Sequence, residues 1–155
     1  MRVYLRDLKE DDAAISFVWR NDPDVWVLTG RAWNNLVTEE VEREWIRQSL
    51  LSESVKRMAI CVGDDARYIG NVQLTNISQG KAVFHIFIGE KQFWGKGIGK
   101  VATQLMIKYA KDVLGLEELS LVVLMNNKAA IRIYNAVGFV EVSSSGDKTL
   151  MNMII

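Results

Sequence analysis

Three glycines occupy every second position in the stretch FWGKGIGK, residues 93–100, which precedes a segment with the apolar spacing of a helix. A helix N-terminus presents unpaired backbone N–H groups and the positive end of the helix dipole, so it attracts anions. Glycines let a phosphate approach that backbone closely, and two lysines add local positive charge. The stretch therefore predicts a phosphate-binding loop made of Gly95, Lys96, Gly97, Ile98, Gly99 and Lys100.

Two common phosphate loops do not match this stretch. A P-loop requires Ser or Thr after its Gly-Lys pair, whereas Val101 follows Gly99 and Lys100 here. A Rossmann fingerprint requires GxGxxG directly after the first strand of a βαβ unit, whereas these glycines alternate strictly and follow an antiparallel meander. Neither ATP nor NAD is therefore the expected ligand.

The elements that must position this loop alternate between strand and helix patterns along the chain. VYLRDL predicts a strand, and two helices follow; Thr38 caps the second, whose apolar stripe is assigned to Val41, Trp45 and Leu51. RMAICV, YIGNVQLTNI and KAVFHIFI predict a three-strand meander. A helix, the buried strand LSLVVLM, a helix ended by a glycine and a final hairpin complete the order. We predict an α/β fold of the α+β kind with a mixed sheet, formed as a single domain by residues 1–155.

The composition is that of a folded protein without a global charge. Lysine plus arginine and aspartate plus glutamate number 19 each in 155 residues, so any anion site must be local. Cys61, the single cysteine, lies in the apolar run MAICV, and its side chain is predicted to be buried in the core. A single cysteine cannot form an internal disulfide, which agrees with a reducing compartment. No apolar run reaches the ~18 residues of a membrane span, and the N-terminus is too charged for a signal peptide. We expect a cytoplasmic protein with no nucleic-acid partner, no membrane partner and no metal.

A second motif lies in the last predicted helix. Its residues follow the pattern Asn-x-x-Ala-x-x-x-Tyr-x-x-x-Gly-Phe, at Asn127, Ala130, Tyr134, Gly138 and Phe139. Together with the glycine loop, this motif resembles the GNAT superfamily of N-acetyltransferases, in particular its RimJ/RimL-like branch. The order of elements in that family agrees with the predicted order along the whole chain.

The resemblance implies acetyl-CoA as the cofactor, with its pyrophosphate on the N–H groups of the glycine loop. The family loop usually begins with Gln or Arg, a position that falls on Trp94, which we interpret as a variant that keeps the backbone cradle. Asn127 would touch the pantetheine arm where the fourth and fifth strands splay apart. The arm would pair like an extra strand with the end of the fourth strand, at Phe87, Ile88 and Gly89.

Acetyl transfer from a thioester to an amine needs a neutral amine, a stabilised carbonyl oxygen and a proton for the leaving thiolate. Because positioning two substrates lowers the barrier by itself, no covalent nucleophile is required, and Cys61 is not needed as one. The resemblance implies that Tyr134, two helical turns after Asn127, is the general acid. Its alternative role is that of a core residue on the same face as Ala130 and Val137.

The general base is less well defined. His85, the only histidine, lies in VFHIFI and could accept an amine proton near neutral pH, or could be an ordinary hydrogen-bonded strand residue. Ribosomal-type N-terminal acetylases, which this chain also resembles, carry a glutamate five positions before the motif asparagine, where this chain has Val122. Bulk water is another candidate, as are three acids on the second helix, Glu39, Glu40 and Glu44.

The acceptor is expected beneath the segment DVWVLTGRAWNN, where Trp26, Arg31 and Trp33 could stack on or clamp it, or could be ordinary packing. The opening WRNDPDV resembles acetylases that act on nucleotide-linked amino sugars and on polyamines. We therefore predict acetyl transfer to a primary amine of a small molecule (an amino sugar, polyamine or amino acid) in a ternary complex. A protein N-terminal or lysine acetyltransferase and a non-catalytic acyl-CoA-binding sensor are the alternatives, and a homodimer is compatible with each.

Overall fold

The computed structural model describes residues 1–27 and 36–155. Within these ranges the chain forms a seven-stranded mixed sheet with helices on both faces, so the predicted fold class is confirmed. The strands are β1 Val3–Asp7, β2 Lys56–Val62, β3 Arg67–Ser78, β4 Lys81–Ile88, β5 Glu118–Leu124, β6 Val140–Ser145 and β7 Lys148–Ile154.

The sheet is antiparallel except at one pair of strands. Its order is β1-β2-β3-β4-β5-β7-β6, and β4 and β5 are parallel neighbours. These two strands pair only from Lys81 opposite Glu118 to Val83 opposite Ser120. Both strands continue beyond that point without pairing to each other, so the sheet opens into a gap in its middle.

The helices lie where the sequence predicts them, with one addition. A one-turn helix starts at Pro23, where the Asp22 side chain accepts a hydrogen bond of 3.0 Å from the backbone N–H of Asp24. Proline is favourable at such a first position because its missing N–H would be unpaired there anyway. The helices are α1 Ala13–Arg20, α2 Pro23–Trp26, α3 Glu39–Leu51, α4 Ile98–Asp112 and α5 Lys128–Val137.

The apolar stripe predicted for α3 is confirmed at Trp45, which packs against the core, and is wrong at Val41 and Leu51. Val41 and Leu51 are 57% and 74% exposed, and the buried face instead carries Glu42, Ile46 and Ser49. This face packs against α1 partly through polar contacts, because the Ser16 hydroxyl donates to the Glu42 carboxylate. A hydrophobic period cannot reveal a helix face that is buried through polar groups.

The core forms two layers, one on each side of the sheet. Along β2, Met58 and Ile60 pack beneath α4 and α5, whereas Ala59 and Cys61 pack beneath α1 and α3. Alternate residues of a strand point to opposite faces, so a strand buried on both faces is apolar throughout. The prediction that Cys61 is buried is confirmed. None of the helices in the two described ranges combines the length and the apolar character needed to cross a membrane.

Candidate active site

A cavity of about 470 Å³ occupies the gap between β4 and β5. Its lining comes from both core layers: Phe84 and Tyr134 belong to the layer beneath α4 and α5, and Trp45 and Phe87 to the layer beneath α1 and α3. The gap thus connects the two faces of the sheet in one chamber. A chamber of this form suits two molecules that meet end to end.

The predicted phosphate loop lies at one end of this chamber, at the start of α4. Gly95 and Gly97 have φ angles of +72° and +79°, which residues with a side chain rarely adopt. A methyl group built on either glycine would meet nothing within 4 Å, so the space beside the loop is open. The first N–H bonded into the helix is that of Val101, which donates to the carbonyl of Gly97. The N–H groups of Ile98, Gly99 and Lys100 precede it and have no intrahelical partner, so they are available to bind an anion.

The end of β4 borders the gap with its backbone, and part of that backbone is already in use. The N–H of Gly89 donates to Ile69 of β3 at 2.7 Å, and the carbonyl of Ile88 accepts from the Trp94 indole N–H at 2.8 Å. Alternation along the strand turns the backbone groups of Ile86 to the same side as the Ile88 carbonyl, which is the side of the gap. Trp94 therefore ties the phosphate loop to the end of β4.

Gly89 also permits a close contact between β4 and α1. A methyl group on Gly89 would lie 2.0 Å from the Trp19 ring, which fills the place of a side chain. Trp19 in turn meets Phe87 edge-on with ring centroids 6.1 Å apart, and Phe87 lies 5.3 Å from the ring of Trp26. The end of β4 is thereby fixed against the first two helices.

Asn127 directly precedes α5 and Tyr134 lies in its second half, and both line the cavity. The Asn127 side chain accepts from the backbone N–H of Ala130 at 3.2 Å and thereby caps the N-terminus of α5. Tyr134 is 8% exposed and packs edge-on against Phe84 and Phe139, at 6.2 and 5.8 Å between ring centroids. Burial raises the pKa of Tyr134 to about 12, so its hydroxyl keeps a proton at neutral pH.

His85 lines the same cavity from the other face of the sheet. Phe84 packs in the layer beneath α4 and α5, so alternation places His85 on the opposite face with Phe87. Its Nε2 lies 3.0 Å from the hydroxyl oxygen of Thr75, a neighbour on β3. His85 and Tyr134 therefore approach the gap from opposite sides.

Glu42 is a cavity residue that sequence reasoning missed. It is 1% exposed, and its carboxylate accepts from the Ser16 hydroxyl at 2.8 Å and from the Arg20 guanidinium at 3.3 Å. Burial raises the pKa of the Glu42 carboxyl, and the charge of Arg20 and the Ser16 hydrogen bond oppose that rise. The i, i+4 spacing in the sequence places Glu42 and Ile46 on one face of α3, but hydropathy does not identify that face as the buried one.

The acids proposed from the sequence lie elsewhere on α3. The Glu39 carboxylate pairs with Arg43 at 3.3 Å, and Glu44 contacts Arg47 on the outer side of the helix. Glu40 is exposed, and none of these three acids lines the cavity. Val122 does line it, so the chamber has an apolar side chain where ribosomal-type acetylases have a glutamate.

Stacked arginines and tryptophans form the wall of the cavity on the α1 and α3 side. The Arg57 guanidinium lies 4.1 Å from the centroid of the Trp45 ring, and Arg20 lies 5.0 Å from the same ring on one side and 5.6 Å from the Trp26 ring. We call Arg57, Trp45, Arg20 and Trp26 the cation–π wall. Trp26 is the member of this wall that the sequence predicted; Arg31 and Trp33 lie outside the described residues.

The family described as "Acetyltransferase (GNAT) domain" matches residues 2–140, and the chain therefore belongs to the GNAT acetyltransferase family. The predicted GNAT resemblance is confirmed; its RimJ/RimL-like branch stays a prediction. Enzymes of this family use acetyl-CoA as the acetyl donor.

Relatives and solved structures are distant in sequence. The chain is 22% identical over 138 residues to the uncharacterised protein MJ1062 of Methanocaldococcus jannaschii, with 89% of this chain and 28% of that protein covered. It is 25% identical over 131 residues to spermidine N(1)-acetyltransferase of Escherichia coli, with 84% of this chain and 63% of that protein covered. The chain thus spans less than two thirds of the length of either relative.

Two solved structures share the fold at 20% identity. A Methanocaldococcus jannaschii domain superposes with a TM-score of 0.84 and 99% of both chains covered. Spermidine N-acetyltransferase from Vibrio cholerae, solved in complex with CoA and spermine, superposes with a TM-score of 0.85, covering 99% of this chain and 94% of that chain. The open glycine loop, the unpaired N–H groups of α4 and the unpaired edge of β4 fit a cofactor that carries a diphosphate and a pantetheine arm.

Proposed function

We propose that this chain is an N-acetyltransferase that moves the acetyl group of acetyl-CoA directly to a primary amine of a small molecule in a ternary complex. The observation that carries this proposal is the cavity that joins the two faces of the sheet through the β4–β5 gap. One end has the backbone donors of a phosphate site, and the other end has the side chains of an organic binding pocket. A cavity with two unlike ends suits two substrates held at once.

Direct transfer also agrees with the surroundings of the only thiol. Cys61 is fully buried in the layer beneath α1 and α3, and burial raises the pKa of its thiol. A protonated, inaccessible thiol cannot act as an acyl-accepting nucleophile, because the thiolate is the reactive form. The chain therefore has no use for Cys61 as a covalent intermediate.

When bound, acetyl-CoA supplies an activated thioester. The N–H groups at the start of α4 would hold its pyrophosphate, and Lys96 and Lys100 would add positive charge beside them. The cap residue Asn127 would border the pantetheine arm at the gap. The backbone of β4 near Phe87, Ile88 and Gly89 would support the same arm, and the backbone groups of Ile86 also face the gap.

The proton transfers are divided between the two faces of the sheet. Tyr134 holds a proton on its hydroxyl at neutral pH and donates it to the leaving thiolate. His85, oriented by its contact with Thr75, accepts the proton that the amine loses on the acceptor side. Trp26 forms part of the wall against which the acceptor packs, together with Arg31 and Trp33 as sequence-based candidates.

Thiol release measures this activity directly. We would follow CoA formation from acetyl-CoA with polyamines, amino acids, amino sugars, nucleotide-linked amino sugars and peptides with free N-termini. Turnover on one small-molecule class is the expected result. Turnover on peptides alone would replace the proposal by a protein acetyltransferase.

A binding measurement separates enzyme from sensor. If no acceptor in the panel causes CoA release while calorimetry shows that acetyl-CoA binds, the proposed activity is contradicted in favour of a non-catalytic acyl-CoA-binding module. Y134F serves as the control for the active preparation, because it should bind acetyl-CoA while turning over more slowly.

A further inference from the structure

We propose that the acceptor amine carries an anionic group, a carboxylate or a phosphate, and that the guanidinium of Arg20 binds it. This inference rests on the proposed function and names the class of its second substrate. It follows from the charges around the α1 and α3 end of the cavity.

More positively than negatively charged side chains line this end. Arg20 and Arg57 are the cations and Glu42 is the one carboxylate among the described cavity residues. Glu42 is already engaged by Ser16 and by Arg20 itself. The described side chains that line this end therefore carry one more positive than negative formal charge.

Neighbouring carboxylates do not reverse this balance. Asp22 and Asp24 both pair with Lys91, at 2.9 and 2.8 Å, and Glu90 pairs with Arg67 and accepts from the Trp19 indole. None of these acids lines the cavity. In the sequence, residues 25–37 (VWVLTGRAWNNLV) include no acidic residue.

Arg20 has the features of an anion-binding residue. Its guanidinium lies beside two indole rings, and its side chain as a whole is 27% exposed, so Arg20 is held in place without being buried. Among the described residues, its hydrogen bonding is limited to one donor given to Glu42. A guanidinium has five N–H donors arranged to match carboxylate or phosphate oxygens, so Arg20 can bind an anion without releasing Glu42.

Arg57 reinforces the positive field without being the primary contact. Its Nε donates to Gln73 and its Nη1 to Ser49, while its plane stacks on Trp45. These bonds fix the charge of Arg57 at the cavity wall. A polyamine carries several positive charges and would meet two guanidiniums there, which disfavours it as an acceptor. The expected acceptor thus differs from the substrate named for the spermidine acetyltransferases to which the chain is similar.

Matched pairs of acceptors test the inference. Ornithine and putrescine share an aliphatic amine and differ in the carboxylate; glucosamine 6-phosphate and glucosamine differ in the phosphate. We expect kcat/KM to be about tenfold higher for the anionic member of at least one pair, as one charge-assisted contact allows. A preference in the first pair identifies a carboxylate as the recognised group, and one in the second pair identifies a phosphate.

Two variants connect the preference to Arg20. In R20M the ratio of kcat/KM within the preferred pair should fall towards one. R20M leaves the buried Glu42 carboxylate without Arg20, which could destabilise the protein. The double variant R20M/E42Q removes both charges, so the same ratio can be measured without an unpaired buried carboxylate.

The outcomes separate this inference from the proposed function. Equal or better turnover of putrescine and glucosamine than of their anionic partners would overturn the anionic acceptor while leaving the N-acetyltransferase in place. An undiminished preference in both variants would overturn the role of Arg20. Absence of thiol release with every acceptor would overturn the proposed function and this inference with it.

Discussion

One end of the cavity is formed mainly by backbone groups and the other mainly by side chains. The end proposed to bind the pyrophosphate, called the phosphate end, consists of consecutive backbone groups in one loop and the first turn of α4, between Gly95 and Lys100. The end proposed to hold the acceptor, called the acceptor end, consists of side chains from α1, α2, α3 and strands β2 to β4, which the fold brings together. The first is specified by local sequence, whereas the second exists only once the helices have packed on the sheet. Changes at the two ends should therefore affect different substrates.

The largest effect is expected at Tyr134, where the two ends meet. Y134F removes the hydroxyl but keeps the ring against Phe84 and Phe139, so the fold should be retained. Loss of a general acid lowers kcat by about 100-fold or more. Single-turnover thiol release measures the step, and calorimetry should find acetyl-CoA binding unchanged. An unaltered kcat would remove Tyr134 from the mechanism.

The same hydroxyl sets an expectation for pH. Tyr134 acts in its protonated form, and because burial raises its pKa to about 12, that form persists to higher pH than the ordinary value of 10.0 would allow. Turnover should therefore rise with pH as the acceptor amine loses its proton, with no alkaline decline below about 10. A pH profile of kcat checks this. A decline with an apparent pKa well below 10 would contradict the assignment of Tyr134 as the acid.

The next effect is expected in the backbone of the phosphate end. G97A places a side chain at a φ of +79°, a strain of about 1–2 kcal/mol. The free loop should relax to another conformation, and because acetyl-CoA must then restore the original one, it should bind about tenfold more weakly. G115A is the matched control, since Gly115 follows the other end of α4 with a φ of +65° and equally open surroundings. Both variants should lose thermal stability, but weaker binding should be confined to G97A. Equal binding by the two variants would argue against the cradle.

A smaller loss is expected on the acceptor face. H85Q keeps a polar side chain opposite Gln73 but cannot accept a proton near neutral pH. We expect kcat/KM to fall by up to about tenfold, less than for Tyr134, because the amine can also lose its proton to water. The loss should be largest at low pH, where the amine is mostly protonated. A uniform loss at all pH values would indicate a structural role for His85.

The smallest effect is expected at Trp94. W94F keeps an aromatic ring but removes the N–H that donates to the Ile88 carbonyl, a bond worth about 1 kcal/mol. The KM for acetyl-CoA should rise by a few fold, and the KM for the acceptor should stay the same. W26F should show the opposite pattern, since Trp26 lies in the cation–π wall. A change in the KM for the acceptor with W94F would contradict the claim that the two ends bind different substrates.

The sequence predicted the fold, and the position of the glycine loop before a helix, for physical reasons. Strand alternation, helix caps and glycine positions are local, and Asn127 and the glycine loop lie where these rules place them. The acceptor end was predicted less completely because Glu42 contradicts the hydrophobic period of α3 and is buried only through its contacts with Ser16 and Arg20. Arg57 and Trp45 likewise gain their role from a stacking that depends on how α3 packs on β2.

The most direct test of the account is an initial-velocity matrix with acetyl-CoA and the best acceptor varied together. One cavity that holds both substrates at once predicts lines that intersect in double-reciprocal plots, with CoA released only when the acceptor is present. Parallel lines, or a stoichiometric burst of CoA without acceptor, would reveal an acetylated enzyme and would contradict direct transfer across the β4–β5 gap.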